Sequence, residues 1–393
     1  MTQEVFPLYK IATLNKISDT GLSVLDKNKF AISDNEQNPD GVILRSFSMH
    51  DMELPASLKC VARAGAGVNN IPIDKCAEKG IVVFNTPGAN ANAVKEMVLA
   101  GLLLSSRKIA QGITWAQGLK GQGDVAALVE KGKASFVGPE IMGKKLGVIG
   151  LGAIGILVAN AAHALKMDVM GYDPFMSVDA AWSISTHVHK AANIDEIIES
   201  CDYITIHIPF NKETKGMFNA DAFSRVKDGV RILNFSRGEL VDNAAIVDAL
   251  KSGKVDTYVT DFPVDELLGV DGVIPVPHLG ASTPESEENC AFMAAQEMRD
   301  YLEFGIIKNS VNFPNCDMPY TGRTRVCVPH KNIPSVISAI TTAVGKKNIN
   351  IDNMMNKSRG DYAYTMLDVD QGDLSGLEAE LMAVEGVISV RIV

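Results

Sequence analysis

Short apolar runs recur between polar stretches along the first ninety residues: "KIATL", "GVILRS", "CVARAG" and "GIVVFNTPG". A second series begins at Lys145 with "KLGVIGLG" and continues with "DVMGYDP", "YITIHIP", "VRILNFSR", "TYVTDFP" and "GVIPVPHLG". The runs are β-branched and bounded by Gly, Pro, Asp or Asn, with helical patterns between them. Such runs are strands buried on both faces, so the pattern predicts an α/β fold with two doubly wound parallel sheets. Between the two series, "NAVKEMVLAGLLLSSRKIA" has the length and spacing of a long helix, opened by Asn90 or Asn92.

The pattern then changes. "NFPNCDMPYTGR" is rich in Pro, Asn and Gly and reads as a linker. Beyond it, "TRVCVP", "IPSVISAITTAVGKK", "NINIDNMM", "YAYTMLDV", "LSGLEAELMAVEG" and "VISVRIV" read strand, helix, strand, strand, helix, strand. That order is the ferredoxin-like βαββαβ pattern. The predicted domains are 1–92 with 284–314, then 93–283, a linker at 315–323, and 324–393.

Composition narrows the function. With 37 basic against 47 acidic residues the net charge is −10, and no basic run exists. Nucleic acid and anionic membrane are therefore poor partners, whereas a small anion held by a few arginines or a helix N-terminus is permitted. No apolar run approaches the ~20 residues of a membrane span, and "MTQEVFPLYKIATLNK" has no apolar signal region, so a cytoplasmic protein is expected. The six cysteines form no CxxC pair and read as reduced thiols. His187 and His189 in "HVH" have no third ligand near in sequence, so no metal site is predicted.

The strongest motif is "LGVIGLGAIG", in which Gly150, Gly152 and Gly155 form G-x-G-x-x-G after a strand and before a helix. The first glycine permits a tight turn. The second lets backbone approach a pyrophosphate, and the third lets helix and strand pack closely. A second strand ends at Asp173, at the spacing expected for the carboxylate that bonds a ribose. Asp173 also repels a 2′-phosphate, and Pro174-Phe175 offers no arginine, so NAD is favoured over NADP. A dinucleotide supplies hydride chemistry and leaves the protein to provide orientation and a proton carrier. Arg237, Glu266 and His278 end successive strands and are the candidates. Arginine holds a carboxylate in two-pronged fashion, histidine transfers protons near neutrality, and a carboxylate beside it steadies the imidazolium.

Taken together, "RAGAGVNNI", "NTPGANANAVKE", "LGVIGLGAIG", "GYDP", "NFSRGELVD", "DFPVDE" and "PHLGAST" resemble the D-isomer-specific 2-hydroxyacid dehydrogenases, over about residues 41–314. The resemblance implies a flavodoxin-like substrate domain beside a Rossmann NAD domain. It implies that Arg237, Glu266 and His278 are catalytic. It also implies NAD contacts at Ala153, Ile154, Asp173, Ser236, Asp261, Gly280 and Ala281. Arg45 and Arg63 match arginines that lie near the phosphate in members with phosphorylated substrates. The amides of Gly65, Ala66 and Gly67 would cradle a carboxylate. The tail is similar to the ACT domain that many members carry. His330, Asn332 and Asn350 match positions that bind an amino-acid effector, and the tail is equally readable as an oligomerisation module alone. A homodimer or homotetramer is implied.

Departures from the family pattern are visible. Ala153 replaces a usual arginine, Leu267 a usual proline, and Ser335 a usual glycine; Asp265 is a rival to Glu266. Two other functions stay open: turnover of a different 2-hydroxy acid, or NAD sensing without turnover.

Overall fold

The N-terminal runs form a five-stranded parallel sheet: β1 (Tyr9–Leu14), β2 (Phe30–Ser33), β3 (Gly41–Leu44), β4 (Cys60–Arg63) and β5 (Val82–Asn85). The order is β2-β1-β3-β4-β5, the doubly wound arrangement with its switch between β1 and β3. The computed structural model describes residues 8–370 and 372–393. Its backbone divides into two compact units, 1–90 with 284–393, and 91–283.

The 21-residue helix Pro284–Phe304 returns the chain to the first unit. Its apolar face joins one core with Ile11, Ile43 and Phe84 of the sheet, through Ala294, Met298 and Leu302. Glu297 on this helix is an exception. It is 6% exposed, and Oε1 accepts a hydrogen bond from Asn309 Nδ2 at 2.7 Å while Oε2 has no partner among the described residues. Burial pushes its pKa up to about 8. The folded value lies above the unfolded one, so the stability it contributes is complete below about pH 4. That stability is lost as pH rises through about 8. Glu297→Gln is expected to raise stability by about 2 kcal/mol at pH 9 and by little at pH 4.5. Thermal unfolding midpoints at the two pH values measure this, and an equal shift at both contradicts it.

The second unit carries a seven-stranded parallel sheet. Its strands are β6 (Lys145–Ile149), β7 (Asp168–Tyr172), β8 (His189–Lys190), β9 (Tyr203–Ile206), β10 (Val230–Asn234), β11 (Val255–Thr260) and β12 (Val273–Pro275). The order β12-β11-β10-β9-β6-β7-β8 is the dinucleotide-fold order with one strand added. The predicted long helix spans Ala91–Arg107 and stops at Lys108, whose φ of +47° breaks the run.

The tail forms a four-stranded antiparallel sheet from β13 (Thr324–Lys331), β14 (Ile351–Arg359), β15 (Tyr362–Val369) and β16 (Arg391–Ile392), in the order β14-β15-β13-β16. Helices Val336–Lys346 and Leu377–Met382 complete the βαββαβ order. Cys327, Tyr364 and Met366 of this sheet share a core with Phe84 and Tyr301 of the first sheet and its helix. Within the predicted linker, Cys316 and Met318 are buried. All six cysteines are free and buried, and burial pushes the Cys60, Cys76 and Cys316 thiols up to about 12, so these three are not nucleophiles at neutral pH.

Candidate active site

The glycine turn joins β6 to the helix Ala153–Ala164. Its three glycines do different things. Gly150 has a φ of +92°, and a Cβ there would lie 2.5 Å from the His207 carbonyl oxygen. A Cβ on Gly155 would lie 1.9 Å from the Gly150 carbonyl oxygen, so any side chain forces helix and strand apart. A Cβ on Gly152 would meet nothing within 4 Å. Two glycines are thus required by the protein itself, whereas the third faces open space that a side chain would fill. No side chain caps the helix at Gly152, so its first amides, including those of Ala153 and Ile154, are available to an anion. Asp173, past the end of β7, accepts from Leu151 N at 2.9 Å and Phe175 N at 2.8 Å. Each carboxylate oxygen keeps a lone pair for a ribose hydroxyl. These residues fit a dinucleotide, with the turn at the point where the strand order reverses between β6 and β9.

The catalytic candidates belong to the same unit. Asn234, Thr260 and Pro275 lie on one rung across β10, β11 and β12. Arg237 and His278 each come three residues beyond that rung, and Glu266 six residues beyond it. All three project from the carboxyl edge of adjacent strands and all are exposed. No hydrogen bond joins them to one another among the described residues. Arg237 Nη1 donates only to the Ser236 carbonyl, at 2.7 Å. A cavity of about 570 Å³ is lined by Gly238, Tyr258, Asp261, Phe262, Pro277 and His278; Arg237 and Glu266 lie outside its wall.

His278 sits in the left-handed region with φ +53°, and its ring meets Phe262 edge-on at 5.1 Å. Asp261, 2% exposed, holds the loop: its carboxylate accepts from Leu279 N at 2.8 Å and Gly280 N at 2.9 Å. Burial raises the Asp261 pKa, while the Gly280 and Leu279 amides and the nearby His278 pull it back. A Cβ on Gly280 would come 2.9 Å from Asp261 Oδ2, so a side chain there displaces the carboxylate that holds the loop. Asp261 and Gly280, expected from the resemblance to touch a dinucleotide, are hydrogen-bonded to each other and hold the loop that carries His278. Ser236 Oγ donates to the Ile208 carbonyl at 2.6 Å, and Ala281 packs against the core on the Ile156 side of the sheet. The other histidine near the turn, His207, bonds Thr205 Oγ1 at 2.9 Å, and burial pushes its pKa down to about 3. It stays neutral at working pH, so His207 is no proton carrier.

In the first unit, Arg45 and Arg63 end neighbouring strands β3 and β4. Arg63 Nε donates to the Arg45 carbonyl at 3.1 Å, and Arg45 Nη1 pairs with Glu287 at 2.5 Å. Gly65 has a φ of +152°, conformational space that glycine supplies, and begins the Gly65–Ala66–Gly67 loop. Two residues that pattern reading does not single out hold this end. Asn15, at φ +116°, accepts through Oδ1 from the amides of Ser46 and Phe47 at 3.1 and 2.8 Å. Asn70 Nδ2 donates to the Arg45 and Phe47 carbonyls at 3.1 and 2.7 Å. The available signal was an asparagine just past a strand, a residue that tolerates positive φ.

The tail residues do not converge. His330 is buried, with Nδ1 on the Lys331 carbonyl at 2.8 Å and Nε2 on Thr365 Oγ1 at 2.9 Å. His330 shares a rung with Ala363 and Ser358, whereas Asn350 adjoins the rung of Thr324 and Val369. Six residues of strand, about 20 Å, separate these levels within one chain. Asn332 Nδ2 donates to the Gly360 carbonyl at 3.1 Å and Asn350 Nδ2 to Asp352 at 3.0 Å. Ser335 has a φ of +71°, a conformation that glycine adopts without steric cost.

Residues 99–280 match the model of the D-isomer specific 2-hydroxyacid dehydrogenase family, NAD binding domain. With the two sheets and the glycine turn described above, the chain belongs to the D-isomer-specific 2-hydroxyacid dehydrogenases. Among its relatives, D-3-phosphoglycerate dehydrogenase of Haemophilus influenzae is 31% identical over 341 residues, covering 83% of this chain and 79% of that one. The enzyme of the same name from Archaeoglobus fulgidus is 36% identical over 291 residues, 71% of this chain. This chain spans about half the length of that relative, 52%. A crystal structure of NAD+-bound 3-phosphoglycerate dehydrogenase from Entamoeba histolytica is similar with TM-score 0.61 and 25% identity, covering 79% of this chain and 100% of that one.

Proposed function

We propose that this protein oxidises 3-phospho-D-glycerate to 3-phosphohydroxypyruvate with NAD, the first step of L-serine biosynthesis. The observation that carries the reading is the arrival of a guanidinium, a carboxylate and an imidazole at one edge of three adjacent strands, in the unit that bears the glycine turn. Gly150, Gly152, Ala153, Ile154, Gly155 and Asp173 hold the dinucleotide, with Ser236 and Ala281 flanking it. When bound, NAD supplies the hydride acceptor. Neutral His278 takes the proton of the C2 hydroxyl. Arg237 binds the carboxylate and stabilises the charge developing on the carbonyl oxygen. Glu266 favours the imidazolium form of His278 electrostatically. Arg45 and Arg63 bind the phosphate, and the Gly65, Ala66 and Gly67 amides cradle the carboxylate.

The Arg45–Glu287 pair favours a second reading, an unphosphorylated 2-hydroxy acid, because that guanidinium already has an anion. A panel of 2-hydroxy acids assayed at the NADH absorbance band decides between them. With 3-phosphoglycerate as the preferred substrate, Arg45→Ala and Arg63→Ala each raise its KM by about 10- to 100-fold, the loss of a charge-assisted contact. An unchanged KM removes the phosphate assignment.

No described helix is long and apolar enough to cross a membrane, and a cytoplasmic location is proposed. Assembly as a homodimer or homotetramer is proposed. The tail is read as an ACT domain whose His330, Asn332 and Asn350 take an amino-acid effector only when two chains bring the two ends of their sheets together. Inhibition by millimolar serine supports this, and its absence removes it.

A further inference from the structure

A cavity of about 710 Å³ in the first unit is unlike its surroundings. Its wall includes Asn85, Asn309, Asn315, Lys357, Ser358 and Arg359. Two cations line it and no carboxylate does, in a chain of net charge −10. Lys357 and Arg359 are two apart on β14, so they share one face of the sheet. Arg359 Nη1 donates to the Ser310 carbonyl at 2.6 Å and pairs with no acid within 4 Å among the described residues. The Arg359 Nε and Nη2 groups therefore remain as donors. Lys357 has one partner, Asp317 at 3.6 Å, and both side chains are half exposed, a pairing of little strength. The amide of Asn315 and the hydroxyl of Ser358 make no hydrogen bond among the described residues.

The opposite wall is fixed. Segment 309–312 lies along the edge strand β5: Ser310 bridges Phe84, Val311 N donates to the Val83 carbonyl at 2.9 Å, and Asn312 Oδ1 accepts from Val83 N at 2.9 Å. Asn85 donates through its backbone amide to the Asn309 carbonyl at 3.3 Å and through Nδ2 to the Ala66 carbonyl at 2.6 Å. One wall of the cavity is thus continuous with the Gly65–Gly67 loop.

We propose that this cavity is a second anion site, distinct from the proposed substrate cradle, that binds a small phosphate-bearing molecule between Lys357 and Arg359 on one side and Asn315 and Asn309 on the other. Arg359, which has no acid partner among the described residues, and Lys357, whose exposed pairing with Asp317 is weak, together match a dianion, and a phosphate monoester carries close to two negative charges near neutral pH. The Arg359 fork presents the parallel N–H pair that phosphate oxygens accept. Through Asn85, occupancy is felt at the Ala66 carbonyl.

The test is binding, so it does not depend on turnover and its failure leaves the proposed reaction standing. The full chain carrying Arg45→Ala and Arg63→Ala, which removes the proposed substrate-phosphate contacts, is titrated calorimetrically with inorganic phosphate and with glycerol phosphate. Binding of either is expected to persist in this background. Adding Lys357→Gln and Arg359→Gln is expected to weaken it at least about tenfold, the removal of two charged donors. Should that variant not fold, Asn315→Asp, an exposed position, places a carboxylate in the same wall and is expected to weaken binding severalfold. Tighter binding of glycerol phosphate identifies a phosphate ester as the natural ligand, and tighter binding of inorganic phosphate identifies the free ion. No binding in the background, or binding unaltered by the charge changes, overturns the proposal.

Discussion

Replacing His278 with asparagine is expected to lower turnover by about 10²- to 10⁴-fold, the usual contribution of a positioned proton carrier, with NADH affinity unchanged. The choice of asparagine follows from the backbone. At φ +53° an alanine adds strain to the loop, whereas asparagine tolerates this conformation and keeps a similar size. The Asp261 bonds to the Leu279 and Gly280 amides do not involve the ring, so the loop survives the substitution. The lost activity then reports proton transfer rather than folding. Initial rates at the NADH band and a fluorescence titration with NADH measure the two quantities separately. Near-normal turnover in a variant that still binds NADH eliminates His278 as the proton carrier.

Asp368→Ala is expected to destabilise the tail by about 3–5 kcal/mol, the cost of stranding a buried charge. Arg325 on β13 and Asp368 on β15 are both fully buried and joined by two hydrogen bonds, Nε to Oδ1 at 2.6 Å and Nη2 to Oδ2 at 3.0 Å. The same guanidinium donates to the carbonyls of Phe304, Met318 and Pro319 at 3.0, 3.0 and 2.7 Å. One side chain therefore ties the tail sheet to the end of the long helix and to the preceding segment. Removing the carboxylate leaves the guanidinium half satisfied in a site closed to water. Denaturant unfolding of the variant measures the loss, and a change under 1 kcal/mol, the range of surface pairs, contradicts it. Replacing both partners by apolar residues is expected to recover part of the loss, since the pair's desolvation cost disappears with it.

Local pattern is legible where the physics is local. Runs such as Gly41–Leu44 and Val82–Asn85 are strands because every position is buried or nearly so, and the sequence shows that as a nearly uninterrupted apolar run. The β2 strand "FAIS" has one buried residue in four and gives no such signal. The glycine turn and Asp173 are readable because turn geometry and strand length set their spacing. The role of Asp261 is not, because its carboxylate bonds amides eighteen and nineteen residues away. Asn15, whose partners lie some thirty residues on, escapes for the same reason.

Most of the strands, the long helix and the dinucleotide turn are legible along the chain, since periodicity and turn chemistry act between near neighbours. Tertiary structure alone decided which charges were paired and which were left over. Arg325 found Asp368 forty-three residues away and Arg45 found Glu287, whereas Arg359 came to line a cavity with no acid partner among the described residues. Register likewise set His330 and Asn350 at opposite ends of one sheet, which no spacing along the chain announces. The physical reason is common to all of these. The strength of a charge or a hydrogen bond depends on what surrounds it after folding, and those surroundings come from segments that the chain places far apart.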